Sequence, residues 1–110
     1  MVKGYVLVTG GSRGIGRAIV LKFGSEGYYV VFTYLNKLDA ANETLKMLKD
    51  VGGDGFYVKM NVGDESSVRK CYELISSEIP YLNVLVNNAG VLSMKSIDEL
   101  SLNEGEYVLR

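Results

Sequence analysis

The segment of this sequence best suited to chemistry is Thr9-Gly10-Gly11-Ser12-Arg13-Gly14-Ile15-Gly16. It follows the apolar run Tyr5 to Thr9 and precedes residues of helical periodicity, so its glycines fall where a strand turns into a helix. A helix start offers backbone N–H groups without internal partners and the positive end of the macrodipole, which together suit a pyrophosphate. On this reading Gly10 permits the tight turn, Gly14 lets phosphates approach the backbone, and Gly16 allows helix and strand to pack closely. No Gly-Lys-Ser/Thr follows, which excludes a Walker phosphate loop. A second constellation, Asn87-Asn88-Ala89-Gly90, ends the fourth apolar run.

Both constellations need a frame that brings them to one edge. Short β-branched runs alternate with longer stretches of helical period, the signature of βαβ units. Strands are expected at Tyr5 to Thr9, Tyr29 to Tyr34, Phe56 to Met60 and Val84 to Asn87. Helices are expected from about Gly14 to Glu26, Asp39 to Val51 and Glu65 to Glu78. Their inner stripes read as Ile15, Ala18, Ile19 and Phe23; then Ala41, Leu45 and Leu48; then Val68, Cys71, Tyr72, Ile75 and Ile79. Gly27 and Gly52-Gly53 supply helix stops, and Pro80 lies just beyond the third helix. Right-handed crossovers predict an α/β fold with a parallel sheet of four strands in order 3-2-1-4 and helices on both faces. The reversal of strand order then sets the glycine turn beside Asn88, where a dinucleotide lies in open α/β sheets.

Composition narrows the partners. At 110 residues the chain has room for a single core. Its net charge of -1, with no run of like charge, points to neither nucleic acid nor a membrane surface. No apolar stretch reaches the twenty or so residues of a membrane span. Histidine is absent and Cys71 is the single cysteine, so no metal site is expected. The start, Met1-Val2-Lys3-Gly4-Tyr5, has no signal-peptide layout, and a reducing, cytoplasmic setting is expected.

Cofactor choice follows from what comes after strand two. An NAD site of this architecture places an acid about 20 residues past the glycines, where it binds the ribose diol and repels a 2′-phosphate. Here Tyr34 is followed by Asn36 and Lys37, with no acid before Asp39. Arg13 precedes Gly14, where its guanidinium can donate to a phosphate. NADP(H) is expected over NAD(H). A methyltransferase reading is disfavoured for the same lack of a ribose-holding acid.

The pairing of T-G-x-x-x-G-x-G after the first strand with N-N-A-G after the fourth resembles the short-chain dehydrogenase/reductase family, over the whole chain. Within it, Thr9 through Ile19 is most similar to the 3-oxoacyl-acyl-carrier-protein reductases. The resemblance implies a Rossmann fold in which Gly10, Ser12, Arg13, Gly14 and Ile15 line the cofactor. Asn88, Ala89 and Gly90 would contact its ribose and nicotinamide side, with Asn87 bracing strand four. Where the family has Asp-Val for the adenine, this sequence has Asn61-Val62, whose amide oxygen can accept the same hydrogen bond. The family's catalytic Asn, Ser and Tyr-x-x-x-Lys would fall after Arg110. The resemblance therefore makes residues 1–110 a partial, truncated dinucleotide-binding domain without its catalytic half, inactive alone. The alternative is a non-catalytic nucleotide-binding or self-associating half-Rossmann module.

Two expectations concern the tail. Ser101-Leu102-Asn103-Glu104 is a capping-box pattern, predicting a helix from Leu102 that is weakened by Gly105, where relatives carry a large aromatic. Strand four, Asn83 to Asn87, is expected to be an open edge without lysine or proline, and so a template for antiparallel pairing in a homodimer.

Overall fold

The computed structural model describes residues 2–88 and 108–109. Its elements are β1 (Tyr5–Thr9), α1 (Gly14–Ser25), β2 (Tyr29–Tyr34), α2 (Leu38–Asp50), β3 (Asp54–Lys59), α3 (Glu65–Glu78), β4 (Val84–Asn87) and β5 (Val108–Leu109). Every strand pairing is parallel, and the order is β3-β2-β1-β4-β5, so the expected 3-2-1-4 sheet is present with one short strand added. Strands β1 and β2 are buried along most of their length, as strands covered on both faces must be. Alternate residues feed two cores. Leu7, Val31, Val58 and Leu85 pack with Val68, Cys71, Tyr72 and Ile75 of α3 on one side. Val6, Val8, Val30 and Phe32 pack with Val20, Ala41 and Leu48 of α1 and α2 on the other.

The stripe of α3 is the predicted one, and Asp64 caps that helix by accepting from the Ser66 N–H at 3.0 Å. The stripe of α1 is corrected in part: Ile19 and Phe23 pack against the core as expected. Gly16, Val20 and Gly24 are its buried residues, whereas Ile15 is 75% exposed and Ala18 is exposed. The physical reason is close approach: a Cβ on Gly16 would overlap the Gly10 carbonyl oxygen, and one on Gly24 would overlap the Leu48 side chain. A helix that comes this near turns its glycines inward, and a hydropathy pattern gives glycine no weight.

The tail also differs from expectation. Val108 and Leu109 form β5, pairing with Val84 and Leu85, so the helix expected from Leu102 does not extend over these two residues. The remainder of that expectation, 102–107, lies outside the described residues. The same pairing covers β4 at Val84 and Leu85. A homodimer seam predicted on an open β4 edge therefore loses the Val84–Leu85 part of that edge. Among the described residues no helix is long and apolar enough to cross a membrane.

Cys71 is 3% exposed, and burial pushes its thiol up from 9.0 to about 12. Folding thus favours the protonated thiol. The resulting stability is fully present below pH 9 and is lost as pH rises from 9 towards 12. Between pH 8 and pH 10 the wild-type chain should lose about 1 kcal/mol more unfolding free energy than Cys71→Ala. Tyr29, raised by burial and then by Asp54, acts in the same direction in both proteins and cancels. Urea unfolding at the two pH values checks this, and equal losses would refute it.

Candidate dinucleotide site

A cleft of about 390 Å³ opens at the carboxyl ends of β1 to β4. Gly10, Ser12 and Arg13 come from the turn after β1, and Asn36 and Lys37 from the loop between β2 and α2. Asn61 and Val62 follow β3, and Asn88 follows β4. These eight predicted residues line one space because the sheet order brings four strand ends together. Gly14, Ile15 and Gly16 form the first turn of α1 and are not among its walls. Ala89 and Gly90 lie outside the described residues. Thr33, Tyr34, Leu35 and Met60 also line the cleft and were missed by sequence reading. Register is the signal that locates them: Thr33 and Tyr34 end β2 one and two places beyond the Val8–Phe32 pair, level with the glycine turn.

The turn is held from both neighbouring strands. Gly10, in the left-handed region at φ +74, donates its N–H to Thr33 Oγ1 at 3.0 Å, and Gly11 donates to the Thr33 carbonyl at 3.0 Å. From the β4 side, Asn88 Nδ2 donates to the Gly10 carbonyl at 3.1 Å, and the Asn88 N–H donates to Thr9 Oγ1 at 3.0 Å. Thr9 Oγ1 in turn donates to Asn87 Oδ1 at 3.2 Å, which fits the bracing role expected of Asn87. Asn88 therefore does more than face the cleft: its amide anchors the first glycine.

The walls suit an anion. Arg13 and Lys37 are cations, and among the described residues no carboxylate lines the cleft. The N-cap residue Arg13 makes no side-chain cap bond, and the first turn of α1 contains no acid, so the positive end of that helix is not neutralised by its own sequence. A Cβ built on Gly14 meets nothing within 4 Å, so open space lies against the helix start. These features fit a dinucleotide phosphate. Asn61 is partly committed elsewhere, since its Oδ1 accepts from the Gly63 N–H at 3.0 Å. One lone pair of that oxygen remains for another donor. Among the described residues no group of three His, Cys, Asp or Glu could hold a metal.

The sequence matches the family described as short chain dehydrogenase over residues 4–110. It is 43% identical over 86 residues to the uncharacterized oxidoreductase YgfF of Escherichia coli strain K12, covering 78% of this chain and 35% of that protein. It is 41% identical over 85 residues to the 3-oxoacyl-[acyl-carrier-protein] reductase FabG of Staphylococcus aureus, covering 77% and 35%. The chain thus spans about a third of the length of these relatives. Among solved structures, the short-chain dehydrogenase/reductase of Serratia marcescens superposes with a TM-score of 0.77 at 32% identity, covering 91% of this chain and 44% of that one. The Pseudomonas aeruginosa RhlG/NADP active-site complex superposes with a TM-score of 0.73 at 27% identity, covering 91% and 40%. With its parallel sheet in this order, its glycine turn at the strand edge and a family match over nearly its whole length, the chain belongs to the short-chain dehydrogenase family.

Proposed function

We propose that the cleft binds NADP(H) in preference to NAD(H), within an oxidoreductase that reduces a carbonyl group and is similar to 3-oxoacyl-[acyl-carrier-protein] reductases. The observation that carries the cofactor choice is the charge of the walls: among the described residues Arg13 and Lys37 line the cleft and no carboxylate does. A 2′-phosphate meets donors there, whereas an NAD site would set an acid against the ribose diol. Family membership supports a nicotinamide dinucleotide, and likeness to a complex that contains NADP supports the phosphorylated form. When bound, the nicotinamide supplies the hydride. The residues of this chain orient it: the α1 start meets the pyrophosphate, Asn61 and Val62 meet the adenine, and Asn88 holds the turn on which the phosphates rest. No residue of the chain is assigned a catalytic role, and a cytoplasmic setting goes with the buried free thiol of Cys71.

Calorimetric titration of the chain tests this reading. NADPH is expected to bind about three- to tenfold more tightly than NADH, the range for a solvated charge-assisted contact. Arg13→Ala should remove most of that preference while leaving NADH affinity nearly unchanged. Equal or tighter binding of NADH by the wild-type chain overturns the NADP(H) reading.

A further inference from the structure

Arg17 lies in the first turns of α1, and its guanidinium meets four acceptors. Nε donates to Thr44 Oγ1 at 2.8 Å, and Nη2 donates to the Ser12 carbonyl at 2.9 Å and to the Ala40 carbonyl at 3.2 Å. Nη1 pairs with Glu43 at 2.7 Å, but Glu43 is 63% exposed, so that pair contributes little. Thr44 is fully buried in α2 and donates its own hydroxyl to the same Ser12 carbonyl at 2.7 Å. Ser12, Arg17 and Thr44 therefore close a ring in which one carbonyl of the glycine turn takes a donor from each of two helices.

The consequence appears in the cleft. Ser12 and Arg13 form its wall on the turn side, and Asn36 and Lys37 form the wall that leads into α2. Arg17 bonds to both bodies, to the turn at Ser12 and to α2 at Ala40 and Thr44, yet neither Arg17 nor Thr44 lines the cleft. Mutually satisfied polar groups of this kind, fully buried at Thr44 and largely buried at Arg17, fix one arrangement of the elements they join. Resting on the dinucleotide reading above, we infer that Arg17 and Thr44 are positioning residues: they set the spacing between Arg13 and Lys37 and so tune the site to a 2′-phosphate that they do not touch.

A purely structural role would weaken every nucleotide alike, whereas a positioning role acts on the one ligand group held between the two walls. Adenosine 2′,5′-bisphosphate and adenosine 5′-monophosphate differ by that group alone. Titrating both against the full chain gives a preference ratio for the wild type and for Arg17→Leu, Thr44→Val and Thr44→Ser. The wild type should prefer the bisphosphate by about three- to tenfold, and Arg17→Leu and Thr44→Val should each remove most of that preference. Thr44→Ser keeps a hydroxyl and should stay within about twofold of wild type, as should the monophosphate affinity of every variant. Thr44→Val is nearly isosteric, so it decides the matter should Arg17→Leu fail to fold. An unchanged ratio in Thr44→Val, or an equal fall in Thr44→Ser, overturns the positioning role alone. A wild-type chain that shows no preference for the bisphosphate overturns the NADP(H) reading and this inference together.

Discussion

Gly16→Ala is expected to lower dinucleotide affinity at least about tenfold and to destabilise the chain by about 1–3 kcal/mol, the usual cost of overfilling a packed site. The added methyl would overlap the Gly10 carbonyl oxygen and come within 2.6 Å of Asn88 Nδ2. Both are parts of the anchor that holds the first glycine, and the carbonyl belongs to backbone pinned on its other side by Thr33. Neither can yield without moving the turn. Alanine is intrinsically favoured over glycine in a helix by about 1 kcal/mol, which offsets only part of the clash. Gly14→Ala makes the informative contrast. Its methyl meets open space, so the φ of +60 is the chief cost to folding, about 1–2 kcal/mol. Thermal unfolding and NADPH titration of the two variants separate these effects. Wild-type affinity in Gly16→Ala would show that the close approach of α1 to β1 does not shape the site.

The largest loss of stability is expected from Phe32→Ala, about 3–5 kcal/mol. Phe32 is fully buried in the core under α1 and α2, tilted against Tyr57 with ring centroids 5.9 Å apart. The backbone of Gly11 packs directly on it, so closely that a Cβ there would lie 2.6 Å from the Phe32 Cβ. Removing the ring leaves a cavity beneath the glycine turn, bounded by a sheet and a helix start that cannot collapse into it. For a chain of this size each kcal/mol shifts Tm by about 4–8 °C, so the midpoint should fall by 12 °C or more, roughly. Differential scanning calorimetry measures this directly. A fall of less than about 5 °C would mean that the core repacks around the missing ring.

These two residues also mark how far the sequence could be read. Strand order, the role of Gly10 and the stripe of α3 were legible because each rests on local periodicity or on a glycine at a turn. The inner face of α1 was legible only at Ile19 and Phe23, because Gly16 and Gly24 are buried for what they lack, and Ile15, the most apolar residue of that turn, stands in solvent. Asn88 was legible as a residue of the cleft from its place after strand four, but its bond to the Gly10 carbonyl is a contact across 78 residues that no local pattern encodes. Thr33, Thr44 and Arg17 were missed for the same reason. A buried threonine in a strand or helix looks like any β-branched residue until its partner is in place. The covered part of the β4 edge depends on Val108 and Leu109, whose capping-box neighbourhood favoured a helix, and pairing with Val84 and Leu85 prevails over that local preference.

The central claim, that NADP(H) occupies the cleft at the strand ends, is tested most directly by following the backbone amides of the chain by NMR during titration with NADPH. Saturable shifts should cluster at Gly10 to Gly16, Asn36 and Lys37, Asn61 and Val62, and Asn88, with NADH producing the same pattern at higher concentration and smaller shifts at Arg13 and Lys37. An absence of saturable shifts, or shifts confined to residues outside these four strand ends, would contradict the account.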